Sequence, residues 1–476
     1  MTFPNHLIIY SLEESVNKPS TEVDRKTRNR KGFIRAFLFL VCFLLFLYFA
    51  NHNLIETDLI SGSTVREMQA RNDIELAFVG SSVVLYHMNP EIVKQETGLT
   101  AFNCAIHSAL IPGDLAMTRE MYKTSHPKWI VLVLEPYALN TAKESIEAEC
   151  RMAPFLTGTD TLLEYYLSAS RIDHAYIDRA FIPRKMFPKS IRGILKTLHT
   201  KRDAADAMIK YADCLNPKET YMGSGYVRHA PDPESLNSDL RVLMYREDNV
   251  GNYYPLLEDT VTLLRMYRKT VEEEYGARLM IIITPEHTSH TLATPSYLPY
   301  CQSLMRFCQE ESIPCFNFQY ARPELMPCLD EYFFDVYHMS GEGSDLFTKT
   351  FCRVFNAVQN GEDVSGLFYG NDWQYLDSLH GITNTWLWPA GKDTFKADCN
   401  IDWHSSPEYR FVYLDADGNE TLLRDYGEDP VLHTAYPGTG NLRVYARIKG
   451  EEQDPDTYFD YPADFDFARR MRTFEY

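Results

Sequence analysis

Short apolar runs alternate with amphipathic stretches between residues 72 and 357. Ile74 to Val79 (apolar apart from Glu75), Ala101 to Ala105, Trp129 to Leu134, Arg278 to Thr284 and Pro314 to Asn317 read as strands. The intervening segments Pro90 to Glu96, Pro112 to Tyr122, Leu257 to Tyr275 and Tyr297 to Glu311 carry apolar residues at helical spacing. Near-continuous apolar strands separated by amphipathic helices predict a parallel sheet covered on both faces, a three-layer α/β/α domain. Sites in such sheets form beyond the carboxyl ends of the strands. That rule collects Ser82, the Glu135-Pro136 turn, Pro285-Glu286-His287 and the loop at Asp335 along one edge.

The alternation breaks twice. Residues from about 140 to 250 interrupt the series with basic, helical-looking text, including Arg184, Lys185, Lys189, Arg192, Lys196, Lys201 and Arg202. A long insertion between sheet elements predicts a lid or helical cap. From 366 to 450 the period changes to two. Tyr409 to Tyr413 alternates, Asp417-Gly418 marks a hairpin turn, and further short strands follow at regular spacing, which predicts an all-β sandwich; the pattern resembles the Ig-like modules of extracellular bacterial proteins. The final segment, 451–476, holds eight acids against three arginines and reads as a solvated tail.

The amino-terminal region has its own pattern. Phe33 to Ala50 is apolar except for Arg35, giving about 27 Å of helix at 1.5 Å per residue. Arg25, Lys26, Arg28, Arg30 and Lys31 precede it with no acid among them, and Glu56 and Asp58 are the first charges beyond it. The distribution predicts a cytoplasmic tail at 1–31, a transmembrane anchor at 32–51, and the remaining domains outside the cell. A cleaved signal peptide fits less well, because the leader is long and polar and Tyr48 stands where a small residue would precede cleavage.

Composition narrows the function classes. The chain has 476 residues and a formal charge of −19, which argues against nucleic acid as a partner. Its ten cysteines follow no metal-ligand spacing; Cys301, Cys308 and Cys315 are seven apart but form no zinc pattern. Neither a P-loop nor a dinucleotide fingerprint occurs. No metal and no cofactor is expected.

Two short motifs carry the chemistry. Phe78-Val79-Gly80-Ser81-Ser82 predicts a strand running into a tight turn that exposes a serine. Asp335-Val336-Tyr337-His338 places an acid and a histidine three apart. A serine hydroxyl needs a base to take its proton, and a third group to orient that base. Ser82, His338 and Asp335 supply the three roles. A strand-capping serine, a buried structural histidine and a helix-capping Asp335 are the competing readings. Donors for an oxyanion would be the backbone amides of Ser82 and Val83 and the side chain of Asn103. Arg228 and His229 either face an anionic group of the substrate or turn a surface loop. His87, His107, His287 and His290 stand near predicted strand ends and are read as structural or exposed.

Gly80-Ser81-Ser82 resembles the first block of the SGNH (GDSL-like) hydrolases, with Ser82 at the nucleophile position. Asp335-x-x-His338, with the small residues and the helix that follow, resembles their last block. The resemblance spans roughly 72 to 357. In 102–108 the glycine of the family's second block has no counterpart, and Glu135-Pro136-Tyr137 does not match the third. The resemblance implies a flavodoxin-like catalytic domain and a serine esterase or O-acyltransferase. Its substrates would be acyl, especially acetyl, groups on a cell-surface polysaccharide or related polymer. Membrane-anchored relatives commonly work beside a multi-pass membrane acyltransferase, so the resemblance also implies such a partner. The alternative is a non-catalytic glycan-binding or assembly protein on a decayed version of the same fold.

Overall fold

The computed structural model describes residues 22–53, 59–139, 155–172, 190–195, 198, 215–233, 235–236, 254–294, 296–379, 381–402, 405–435, 439–451 and 457–462. Helix α1 spans Glu22–Asn53 and α2 spans Leu59–Gln69. The expected anchor falls within α1. The side chains of its residues 22–29, 44 and 47–53 lie outside the described residues, so the described apolar run ends at Phe46, about 21 Å from its start. Among the described residues no helix is long and apolar enough to cross a membrane.

The predicted series of strands and helices forms one sheet. Strand β1 (Leu76–Gly80) leads through α3 (Ser82–His87) and α4 (Pro90–Thr97) to β2 (Ala101–Ala105). Then come α5 (Ile111–Met121), β3 (Trp129–Val133) and the short α6 (Pro136–Leu139). The insertion contributes α7 (Thr159–Ile172), β4 (Glu219–Gly223) and β5 (Tyr226–His229). The series resumes with α8 (Glu258–Lys269), β6 (Arg278–Ile283), α9 (Thr288–Ala293), α10 (Tyr297–Glu310) and β7 (Cys315–Asn317), and closes with α11 (Gly341–Gln359). The strand order is β2-β1-β3-β6-β7, and every pair is parallel.

Because side chains alternate along a strand, a wholly apolar strand supplies two cores. Ala77 and Val79 of β1 join the layer built from α2, α5, α7, α8 and α10, whereas Leu76 and Phe78 join the layer of α3, α4 and α11. In the second layer Phe351 meets Phe78 edge-on at 5.2 Å, and Phe355 meets Trp129 at 5.1 Å. The expected helix 257–275 ends early. Its α-helical part stops at Lys269, a wide turn over Thr270–Glu274 follows, and the Tyr275 amide reaches back to the Thr270 carbonyl.

Gly80 ends β1 where two backbones meet. A Cβ there would lie 2.5 Å from the Val133 carbonyl oxygen and 3.0 Å from the Val84 side chain. The obstacle is a neighbouring strand, which cannot yield as a flexible side chain can. Gly80→Ala is expected to lower unfolding free energy by about 1–3 kcal/mol, read from a urea transition. It also displaces the turn that carries Ser82.

The insertion is not purely helical as expected. Its β4–β5 hairpin turns through Ser224 and Gly225, both with positive φ (53° and 74°). A side chain at Gly225 would run into the backbone of Asn103, so the hairpin seats directly on β2. Most of the basic run at 184–202 lies outside the described residues.

A sandwich does follow the α/β domain. Its strands are β8 (Ile382–Gly391), β9 (Thr394–Ile401), β10 (Pro407–Leu414), β11 (Glu420–Gly427), β12 (Val431–His433), β13 (Asn441–Ile448) and β14 (Thr457–Pro462). They form sheets β11-β10-β13-β14 and β12-β9-β8 around Leu387, Phe395, Phe411, Leu442 and Val444. The alternation Leu442/Val444/Ala446, buried between half-exposed neighbours, is the period-2 pattern read from the sequence. Thr457–Pro462 lies in the segment expected as a tail, yet it pairs with β13. Phe459 and Tyr461 pack against the sandwich core, which offsets the surrounding acids. Residues 463–476 lie outside the described residues.

Candidate active site

The turn after β1 presents two serines with different tasks. Ser81 caps α3, with extended backbone (φ −80°, ψ −159°) and its Oγ accepting the Val83 amide at 3.4 Å. Ser82 is the first residue of that helix, and its hydroxyl lies 2.8 Å from His338 Nε2. The two residues are 256 positions apart in the chain.

The second loop is folded around Asp335. Phe333 bridges to Met339, and the Phe334 amide donates to the His338 carbonyl at 3.1 Å, which closes the turn. Within it Asp335 Oδ1 accepts the amides of Tyr337 (2.8 Å) and His338 (2.7 Å). His338 Nδ1 lies 2.9 Å from Asp335 Oδ2 and 3.0 Å from Oδ1. Asp335 does not cap the following helix; Ser340 does, accepting the Gly343 amide at 3.3 Å.

Burial works against charge on Asp335, but the hydrogen bond and positive field of His338 and the two backbone amides outweigh it. They hold the carboxyl below the ordinary carboxylate range. An ionised Asp335 fixes the proton on Nδ1 and leaves Nε2 free to accept from Ser82. Aromatic rings hold the imidazole in place: Phe334 stacks on it at 5.5 Å and 10°, and Tyr86 of α3 meets it edge-on at 5.1 Å.

His87 lies behind this loop, fully buried, with Nε2 accepting the Met339 amide at 3.0 Å. Burial, with the positive field of His338, keeps it well below the usual histidine range. It is a neutral structural histidine. His287 and His290 instead pair with acids, at 2.9 Å to Asp330 and 3.2 Å to Glu286 respectively.

The cleft over the serine has a volume of about 220 Å³ and is lined by Ser82, Tyr86, His107, Ser108, Phe334, Asp335 and His338. Four of the expected binding residues lie elsewhere. Asn103 is fully buried, and its Nδ2 donates to the carbonyls of Val84 (2.8 Å) and Met88 (2.7 Å), which pins α3 to β2. Its donors are therefore spent away from the cleft. Val83 is buried in the core, and its amide turns to Ser81. Arg228 is bound by two carboxylates of α11, at 2.6 Å to Asp345 and 3.2 Å to Glu342, so its charge is already satisfied. His229 is buried, with Nδ1 2.5 Å from the Ala230 carbonyl oxygen and its ring stacked on Phe334 at 3.7 Å. It touches the site through Phe334 and does not line the cleft.

Ser108 was not indicated by the sequence. It sits after β2 with φ 54°, the left-handed region that favours glycine, and faces the cleft. A serine there takes up a conformation that no serine announces. Among the described residues the backbone amides of Ser82 and Ser108 donate to no protein acceptor, whereas the His107 amide is taken by Ser61 Oγ at 3.1 Å.

The parallel sheet, the serine turn after β1 and the Asp-x-x-His loop before α11 bring the expected nucleophile, base and acid to one edge of the domain. No family model matches the chain, and no curated protein matches it. Among solved structures, a candidate acylhydrolase from Bacteroides fragilis NCTC 9343 is similar with a TM-score of 0.28 and 12% identity, over 65% of this chain and 93% of that one. A two-domain esterase active on acetylated mannans is similar with a TM-score of 0.27 and 8% identity, over 86% and 96%. The same esterase with mannopentaose gives 0.28 and 9%, over 87% and 96%.

Proposed function

We propose that the protein is a serine esterase or O-acyltransferase acting on short acyl groups carried by a polysaccharide or related polymer. The observation that carries this reading is the unbroken hydrogen-bonded series Ser82–His338–Asp335. In the proposed reaction His338 Nε2 takes the Ser82 proton as Oγ attacks the acyl carbonyl carbon. The oxyanion that forms is met by the amides of Ser82 and Ser108. His338 returns the proton to the departing sugar hydroxyl, leaving an acyl-serine. Water, or a second hydroxyl in a transfer reaction, then attacks the acyl carbon as the same histidine takes its proton; the bond to Ser82 Oγ breaks and His338 returns the proton to Oγ.

The cleft supports a short acyl group. It is small, and hydroxyl and imidazole groups share its walls with two aromatic rings, which differs from the long apolar groove that a lipase requires. The polar basic leader and the apolar stretch at 32–51 support anchoring in the cell membrane with the catalytic and sandwich domains outside. In that arrangement a multi-pass membrane acyltransferase would supply the acyl group for transfer.

Acetate release by the full-length protein in detergent tests the reading. Acetylated glucomannan and xylan are expected to lose acetate, and p-nitrophenyl acetate to be cleaved far faster than the palmitate ester. Folded protein that releases no acetate from any of them, with or without an acceptor sugar, favours the glycan-binding alternative.

A further inference from the structure

The two serines of the β1 turn each contact a different acid–base group. Ser82 bonds to His338, while Ser81 donates its hydroxyl to the Oε2 oxygen of Glu135. Glu135 lies two residues past the end of β3, the strand beside β1, and is 6% exposed. A buried carboxyl needs a compensating partner. The Ser81 bond satisfies one oxygen. Its electrostatic partners include His338 and Asp335 of the site.

We propose that Glu135 is a positioning residue of the site, a second carboxylate that holds Ser81 and whose negative charge favours the imidazolium of His338. The proposal rests on the serine-esterase reading and deepens it. Asp335 approaches the imidazole at Nδ1, and Glu135 holds Ser81, the residue next to the serine whose hydroxyl meets Nε2. When His338 takes the Ser82 proton, the new positive charge is met by Asp335 in direct contact and by the field of the buried Glu135. Ser81 has a double role, since the oxygen that donates to Glu135 also accepts the Val83 amide and so ties the acid to the start of α3.

The charged surroundings are consistent with this role. Burial raises the Glu135 carboxyl above its ordinary value and the Asp335 charge adds to that rise; the Ser81 bond and the His338 charge oppose it. From α10, the buried Tyr297 feels both Glu286 and Glu135 and is pushed well above the usual phenol range by burial and these acids. Glu286 follows β6 and is itself paired with His290 of α9 at 3.2 Å. On α3, His87 is neutral and adds no charge against the loop. Glu135 and Asp335 are thus two acids coupled electrostatically to His338.

The test is the NMR titration of the His338 imidazole in full-length protein labelled at histidine, with the signal assigned by its loss in His338→Gln. In Glu135→Gln the titration midpoint is expected to fall by roughly 0.5–1 pH unit, because removing a nearby negative charge makes the imidazolium less favourable. The acid limb of the kcat/KM profile with p-nitrophenyl acetate shifts to lower pH by the same amount. Ser81→Ala keeps the carboxyl group but removes a bond that favours its charge, so its midpoint is expected to fall by less than that of Glu135→Gln. An unchanged midpoint in folded Glu135→Gln overturns the proposal. So does a Ser81→Ala shift as large as that of Glu135→Gln, which would make the effect one of hydrogen-bonded geometry alone. The titration reads His338 whether or not the protein turns over. Absence of esterase activity with a midpoint shift present therefore counts against the esterase reading and not against the Glu135–His338 coupling.

Discussion

Ser82→Ala and His338→Ala are each expected to lower the rate of acetyl-ester cleavage by on the order of 10⁴-fold or more, with little change in the thermal transition. The loss is large because the nucleophile and its base act as one unit. Without His338 the Ser82 hydroxyl keeps its proton, and without Ser82 there is no acyl-enzyme to form. The double variant is expected to be no slower than the worse single variant by more than a few-fold, since both remove the same step. Stability changes little because neither side chain fills the core: both border the open cleft. Rates on p-nitrophenyl acetate and a melting curve for each variant decide the matter. A Ser82→Ala protein retaining a tenth of the wild-type rate contradicts the assignment.

Asp335→Asn is expected to cost about 10⁴-fold in kcat while leaving the loop folded. The reason is local. Asp335 Oδ1 is held by the amides of Tyr337 and His338, both donors, so the single carbonyl oxygen of asparagine takes that position. Its NH₂ group then faces His338 Nδ1, where the carboxylate oxygen Oδ2 now lies at 2.9 Å. A donor facing Nδ1 forces the proton to Nε2, and the Ser82–His338 bond reverses direction. His338 then has no lone pair with which to take the serine proton. The pH dependence carries the same sign. Asp335 is held below its ordinary value, so its contribution to stability is present above that ordinary value and declines as pH falls through the lowered one. The rate difference between wild type and Asp335→Asn therefore persists across neutral pH. A variant within tenfold of wild type near pH 7 contradicts the proposed role.

The parts read correctly from the sequence share a physical cause. Burial on both sides leaves a strand with no polar positions, so β1, β2, β3, β6 and β7 stand out as apolar runs, and their parallel order follows from the helices between them. The Gly80 turn and the Asp335 loop are local chemistry, encoded within five residues each, and the fold brings Ser82, Asp335 and His338 together. The binding residues were less readable because their roles depend on long-range partners. Asn103 has two free donors on paper, and only the packing of α3 over β2 shows that Val84 and Met88 take both. Arg228 resembles an anion-binding residue until α11 brings Glu342 and Asp345 against it. Ser108 could not be found from residue type, since its value to the cleft is a backbone angle. Glu135 did leave a signal, an acid closing an apolar strand directly before Pro136, but its meaning required the neighbouring Ser81. The strand at Thr457–Pro462 was hidden by the acids around it and is explained by its pairing with β13.

Reaction of the full-length protein with a fluorophosphonate probe, followed by peptide mapping, tests the central claim most directly. An activated serine attacks phosphorus, and the adduct is expected on Ser82 alone, absent from Ser82→Ala and reduced at least a hundredfold in His338→Ala. Folded wild-type protein that takes up no probe, or an adduct at another residue that persists in Ser82→Ala, would contradict it.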